Sequence, residues 1–361
     1  MIRANICKES HIHILGRSYL NGGVLTLFWT ASGIELEITA SELWIEVISD
    51  YSKMEPWISI EINGSFVSRQ MVTKGTHNIC VFRNMSPNVK KHVRILRETQ
   101  AMSDDNDNLL QIRALYHDGV IEPMPQRQKK IEFIGDSITS GEGAYGSQCE
   151  SDWVSMFFGA SNNYAVITAD ALNADFDIIS QSGWGVSLSW DGDAKKVLPL
   201  YYEQICGVVN GKRNEELHAH DRYDFSRRCA DMVVVNLGTN DAAALRLEGG
   251  GYDVEGVRKF KASVIDFLRM LRRCNPCAEI IWAYGMLGTA FLDHIRDAVT
   301  EYKRCSRDEK VSVLALPQIN EKTVGACGHP GAKNHMEAAA VLTKLDNCET
   351  KWLGNKKCKI N

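Results

Sequence analysis

The chain has 361 residues, 44% hydrophobic and 24% charged, the composition of a folded globular protein and not of a disordered one. Single domains usually run ~100–200 residues, so two domains are expected. Forty-one basic against forty-five acidic residues leave a formal charge of −4, which argues against a nucleic-acid or anionic-membrane partner held by bulk charge.

The N-terminal stretch alternates polar with apolar residues and lacks the ~7–15-residue apolar core of an export signal. No apolar run reaches the ~20 residues needed to cross a bilayer. Eleven cysteines are scattered from Cys7 to Cys358 without a framework spacing. With no export signal, they are expected as reduced thiols in a cytoplasmic protein.

The first part of the chain reads as β structure. Val24–Trp29 is the first strong candidate. Ile34, Leu36 and Ile38 then alternate with Glu35 and Glu37, the period-two signature of a strand with one wet face. Leu43–Val47 follows, and Trp57–Ile62 repeats the alternation and runs into Asn63-Gly64. Asn-Gly between alternating runs signals a two-residue hairpin, because both central residues of that turn need positive φ. His77–Phe82, His92–Leu96 and Leu109–Leu115 complete the set. Many short strands without a helix predict an antiparallel sandwich over residues 1–122.

A polar stretch from His117 to Lys130, carrying Pro123 and Pro125, is expected to be the linker. From residue 128 to 361 the pattern becomes strand then helix, repeated. Strands are predicted at Ile131–Ile134, Phe176–Ile179, Met232–Leu237, Glu279–Tyr284 and Val311–Leu316. Helices are predicted at Tyr164–Leu172, Val254–Arg273, Ala290–Cys305 and Ala332–Leu345. Alternating β and α with apolar, β-branched strands predicts an α/β domain: a parallel sheet with helices on both faces. No internal repeat or low-complexity tract is present.

Ligands of such sheets bind outside the carboxyl ends of the strands. Past the first strand comes Gly135-Asp136-Ser137-Ile138-Thr139-Ser140-Gly141, and past the second Ser180-Gln181-Ser182-Gly183-Trp184-Gly185. Past the third comes Gly238-Thr239-Asn240-Asp241. Beyond the last strand lies Gly328-His329-Pro330, just ahead of the final helix. A serine, a glycine turn, an asparagine and a histidine on one rim are the inventory for acyl transfer. A serine hydroxyl needs a base to take its proton, and histidine is the usual base at neutral pH. Glycine N–H groups and an asparagine amide suit the oxyanion of a tetrahedral intermediate.

These four blocks, in this order, resemble the SGNH (GDSL-type) hydrolases over residues ~128–361. Together with the β domain and the run from His329 to His335, they resemble carbohydrate esterase family 2. That family joins an N-terminal jelly-roll to an SGNH domain and removes acetyl groups from plant polysaccharides such as xylan and glucomannan. The resemblance implies Ser137 as nucleophile and His329 as base. It implies an oxyanion hole of the Ser137 N–H, one glycine N–H and the Asn240 amide, with Gly185 fitting the family spacing and Gly183 as the alternative. Superfamily members usually carry an aspartate three residues before the histidine, where this chain has Ala326. A Ser137–His329 dyad is therefore expected, its histidine oriented by a backbone carbonyl, as in some family-2 esterases.

Trp184, Trp190 and Tyr145 lie near these blocks and are candidates to contact a sugar ring, Trp184 first and Trp190 second. Asp136 reads as a turn-holding residue beside the nucleophile and is carried as a substrate-side candidate. Asp241 is expected to hold its loop and His335 to support the site. His11-x-His13 and His218-x-His220-Asp221 lack matching further ligands, so no metal is expected, and the mechanism requires no organic cofactor. Cys274-Asn-Pro-Cys277 reads as a pair of bystander thiols. The expected partner is an acetylated oligosaccharide, with neither nucleic acid nor membrane. Rival readings are an SGNH lipase or thioesterase on another short acyl ester, and a carbohydrate-binding protein whose esterase site has decayed.

Overall fold

The computed structural model describes residues 1–7 and 9–347, so Cys358 lies outside the described residues. The chain forms two compact units. The first comprises Met1–Gln126, Trp153–Ser161 and Tyr201–Tyr223, and the second comprises Arg127–Asp152, Asn162–Leu200 and the chain from Asp224 onward.

Strands β1 (Ile2–Ala4), β2 (His13–Leu15), β3 (Ser18–Asn21), β4 (Val24–Leu27), β5 (Gly33–Thr39) and β6 (Leu43–Asp50) open the first unit. It continues with β7 (Trp57–Ile62), β8 (Ser65–Met71), β9 (Gly75–Phe82), β10 (Lys90–Arg97), β11 (Leu109–His117) and β12 (Val120–Glu122). They form two antiparallel sheets, one in the order β3-β4-β11-β6-β9 with β1 on β11, the other β12-β5-β10-β7-β8 with β2 on β5. Both sheets feed one apolar cluster. Leu25, Leu27, Ile45 and Val47 come from the first, and Ile34, Leu36, Ile38, Ile58, Ile60, Val93 and Ile95 from the second.

Asn63 (φ 53°) and Gly64 (φ 75°) turn β7 into β8, with Ile62 opposite Ser65, the hairpin that the Asn-Gly pair predicts. The expected wet face of β5 is corrected. Glu35 is fully buried and lies 2.9 Å from His92 Nε2. On the neighbouring strands Arg94 Nε donates to Glu61 at 2.8 Å. Carboxylates can leave water here because each has a cationic or imidazole partner on the adjacent strand. The missed strands are short, like β1–β3, or polar, like β8, and β12 falls inside the stretch expected as linker.

Segments from later in the chain complete this unit. The Trp29 indole donates to the Ile205 carbonyl at 2.7 Å. Arg17 donates to the Gln204 carbonyl at 3.0 Å and lies over the Tyr202 and Tyr223 rings. Arg69 Nη2 donates to the carbonyls of Met156 and Phe158, at 2.9 and 2.6 Å.

The second unit is built on β13 (Lys129–Gly135), β14 (Ala174–Ser180), β15 (Met232–Asn236), β16 (Glu279–Tyr284) and β17 (Val311–Ala315), all parallel in the order β14-β13-β15-β16-β17. Its helices are α1 (Ser137–Ser140) and α2 (Tyr164–Ala171), then α4 (Thr239–Ala244), α5 (Val254–Cys274), α6 (Leu292–Ser306) and α7 (Ala332–Asn347); the short α3 (Lys212–Glu216) belongs to the first unit. Helix α5 starts at the Asp253 cap, buries Phe260, Val264, Phe267 and Leu271, one stripe at helical spacing with Phe267 edge-on to Trp282 of β16, and also packs on α6. Helix α2 packs on α7. Among the described residues, no helix is long and apolar enough to cross a membrane.

Among the described residues, eight cysteines carry no disulfide, Cys274 among them, but Cys277 is disulfide-bonded, which corrects the expectation of reduced thiols throughout. Disulfides form where the fold brings Cα atoms within ~4.4–6.8 Å, and spacing along the chain does not report that distance.

Candidate active site

The order of the parallel sheet makes β13 its switch point, because β14 follows on one side and β15 on the other. Chains leaving adjacent strands at such a point diverge and open a crevice at their carboxyl ends. Ser137 lies two residues past β13 and is the first residue of α1. Asp136 caps that helix by accepting the Ile138 N–H at 3.0 Å. The helix stops after one turn at Gly141 (φ 77°), whose N–H closes on the Ile138 carbonyl at 3.1 Å. The next N–H, that of Glu142, returns to the Ser137 carbonyl at 3.0 Å.

His329 reaches the serine from the far end of the unit, its Nε2 standing 2.8 Å from Ser137 Oγ. The imidazole is held from behind by Nδ1, 3.0 Å from the Cys327 carbonyl. That carbonyl is aimed by an unusual turn over Ala326–Gly328, in which Cys327 has φ 54°. The Cys327 N–H bonds the Glu150 carbonyl at 2.8 Å and the Ala326 N–H bonds the Gly143 carbonyl at 3.2 Å, so the segment after α1 grips the histidine turn. A carboxylate is also present behind the ring. Glu142 Oε1 lies 3.5 Å from Nδ1, and Ser182 Oγ donates to Oε2 at 2.6 Å.

Asn240, on the first turn of α4, donates through Nδ2 to the Trp184 carbonyl at 2.9 Å and to Asp136 Oδ2 at 3.2 Å. The glycine loop past β14 is folded around Asp241. Its carboxylate accepts the N–H groups of Val186, Ser187 and Leu188 at 2.7–2.9 Å and the Ser187 hydroxyl at 2.8 Å. A Cβ on Gly185 would stand 2.4 Å from Asp241 Oδ2, and one on Gly183 (φ 79°) 2.7 Å from the Trp190 ring. Both positions therefore demand glycine, and both flank the carbonyl that Asn240 bonds.

Burial dominates the electrostatics. It pushes the Asp136 carboxyl up to about 7, with Glu142 and Asp241 adding to the effect. Burial, helped by the charge of His329, pushes His335 down to about 3, so this ring is neutral. It stacks on Tyr164 at 6.0 Å and its Nδ1 accepts the Tyr164 N–H at 3.2 Å, a supporting role as expected. Among the described residues, no group of three His, Cys, Asp or Glu could hold a metal ion. His218 pairs with Asp221 and His220 Nε2 bonds the Val209 carbonyl.

Ser137, His329, Asn240, Asp136 and the Gly183–Gly185 loop thus meet at one rim. Two substrate-side expectations change. Asp136 has no exposed surface, so it cannot touch substrate, and it caps α1 and meets Asn240 instead. Trp184 is 6% exposed whereas Trp190 is 64% exposed, which reverses their order as candidate platforms. Tyr145 is half-buried on the segment after α1. Glu142 was missed in the sequence, where only its place one residue past the α1 stop glycine marks it.

A serine hydroxyl bonded to an oriented imidazole at the carboxyl rim of a parallel sheet is an arrangement suited to acyl transfer. The chain belongs to the GDSL-like lipase/acylhydrolase family, whose model matches residues 131–342, and within it to carbohydrate esterase family 2. The structure of an acetyl xylan esterase, Est2A, from the rumen bacterium Butyrivibrio proteoclasticus is similar with a TM-score of 0.95 and 41% identity, covering 97% of this chain and 99% of that one. A family two carbohydrate esterase from Clostridium thermocellum, solved with cellohexaose, is similar with a TM-score of 0.80 and 26% identity over 94% of this chain and 99% of that one. The cellulase/esterase CelE of Acetivibrio thermocellus is 28% identical over 87% of this chain, which spans 36% of that protein's length.

Proposed function

We propose that this protein removes O-acetyl groups from xylo- or manno-oligosaccharides with Ser137 and His329 as a catalytic dyad. The observation that carries the reading is the line Ser137 Oγ, His329 Nε2, His329 Nδ1, Cys327 carbonyl, with contacts of 2.8 and 3.0 Å at its two ends. Oγ attacks the acetyl carbonyl carbon as Nε2 takes its proton. The oxyanion is met by the Ser137 N–H, which has no intrahelical partner at the first position of α1, by the N–H of Gly185 or Gly183, and by Asn240 Nδ2, which turns the hydrogen of its longer bond, 3.2 Å to Asp136, towards it. Collapse breaks the ester bond to the sugar, whose oxygen takes the proton from Nε2. Water, deprotonated by the same nitrogen, then releases acetate from the acetyl-enzyme.

The sugar reading is supported by the family and by Trp190, whose open ring beside the glycine loop suits the apolar face of a pyranose. On this reading the antiparallel unit is the family's jelly-roll domain. Ser137→Ala and His329→Ala should each lower kcat on aryl acetate and on acetylated oligosaccharides by roughly 10⁴–10⁶-fold. NMR of the products identifies the freed hydroxyl. Hydrolysis that survives Ser137→Ala rejects the dyad, and a preference for long acyl chains favours the lipase reading.

A further inference from the structure

We propose that Glu142 supplies the negative charge that a serine–histidine pair ordinarily takes from an aspartate, acting as a positioning residue through His329. The inference rests on the dyad reading and divides the work of one aspartate between two groups. The Cys327 carbonyl, at 3.0 Å, accepts the Nδ1–H and fixes the tautomer and tilt of the ring. A carbonyl carries no net charge. The Glu142 carboxylate, 3.5 Å from the same nitrogen, carries one.

Three observations hold this carboxylate in that role. Its side chain is 6% exposed, and among the described residues His329 is its one cationic partner within 4.0 Å. A carboxylate buried without a Lys or Arg is costly unless a positive charge forms beside it. Ser182 Oγ bonds Oε2 at 2.6 Å and so fixes the carboxylate while Oε1 faces the ring. The backbone ties the parts together, with the Glu142 N–H on the Ser137 carbonyl at 3.0 Å and the Gly143 carbonyl on the Ala326 N–H at 3.2 Å. The other titratable groups that face these are Asp136 and the Cys327 thiol, both of which feel Glu142, Asp152 beside that thiol, Asp241 beside Asp136, and the neutral His335 beside His329.

The timing of the charge makes this arrangement catalytic in effect. To take a proton Nε2 must begin the step without one, and the carboxylate gains little from a ring in that form. When Oγ forms its bond to the acetyl carbon, its proton moves to Nε2 and the ring becomes a cation. Nδ1 keeps its own proton on the Cys327 carbonyl, no proton passes to Glu142, and Nε2–H then goes to the departing sugar oxygen. The attraction thus strengthens only as the transition state is approached, which raises kcat and leaves substrate binding alone.

The test is steady-state hydrolysis of 4-nitrophenyl acetate across pH by the full chain and its variants. Glu142→Gln keeps the size of the side chain and an acceptor for Ser182. It should lower kcat/KM by about tenfold or more through kcat, and move the acid limb of the pH profile down by about one unit. Glu142→Asp, which keeps the charge, should recover part of both. If Glu142→Gln fails to fold, Ser182→Ala, which loosens the carboxylate, should move both quantities the same way by less. Glu142→Gln within twofold of the parent, or equal losses in Gln and Asp variants with the acid limb unmoved, overturns the proposal. Ser137→Ala is run alongside, and its full activity would reject the dyad reading independently of the Glu142 result.

Discussion

Asn240, half-buried, donates to the buried Asp136 at 3.2 Å, which ties its amide to the turn that carries Ser137. Burial lifts the Asp136 carboxyl from 3.8 to about 7. Between those two values the folded protein holds a proton that the unfolded chain has released, so raising the pH across this window removes stability, with the full loss reached above about 7. Asp136→Asn cannot ionise. The difference in Tm between that variant and the parent should therefore rise from pH 5 to pH 8, whatever its offset. A flat or falling difference in parallel thermal melts means that Asp136 does not titrate in the folded state. Asp136, Ser137 and Asn240 were legible as neighbours because each lies just past an apolar run that reads as a strand. The place of Glu142 was not legible. It depends on the left-handed stop at Gly141 turning the chain back towards the serine, a backbone event with little pattern in the side chains.

The segment from Gly183 to Trp190 behaves as one element, because four donors converge on the buried Asp241 and the Trp190 N–H closes on the Gly183 carbonyl at 2.9 Å. Trp190 stands open to solvent, its ring beside Gly183. Trp190→Ala should raise KM for acetylated xylo-oligosaccharides by about tenfold, the worth of one ring-on-ring contact, and leave KM for a small aryl acetate unchanged. Equal effects on both substrates would assign the ring to packing. Chain order alone ranked Trp184 ahead of Trp190, since it stands between two glycines. Trp184 faces inward instead, and nothing in a loop without periodicity distinguishes a buried aromatic from an exposed one. Regular elements were read far better. The predicted Val254–Arg273 helix is α5 over Val254–Cys274, and Glu279–Tyr284 is β16 residue for residue.

Across the whole molecule, the two patterns of periodicity separate an antiparallel part from a parallel one, and both are found where they were expected. The sequence carried no sign that Trp153–Ser161 and Tyr201–Tyr223 join the first unit. Those attachments are made by individual long-range contacts, such as those of Arg17, Trp29 and Arg69 and of Arg213 with Asp50, not by any repeating pattern. A chain ending at Gln126 lacks both segments and leaves Arg17, Trp29 and the half-buried Arg69 without those carbonyls. Each loss is worth about 1–3 kcal/mol, so the truncated unit should melt about 10–20 °C below the same unit in the full chain. Circular dichroism of both proteins during heating checks this, and an unchanged transition would show that the first 126 residues are self-sufficient.

The acceptor behind the His329 ring is a peptide oxygen, and every amino acid carries one. Position 327 can change its side chain without losing that acceptor, at the cost of the thiol's bond to the Asp152 carbonyl at 3.2 Å and provided that the replacement tolerates φ near 54°. Glycine and asparagine satisfy that condition most readily. A search that looks for an acidic side chain three residues ahead of the histidine would score this protein as having lost a part. The task of orienting the ring has passed to the main chain, where comparison of residue identities does not register it.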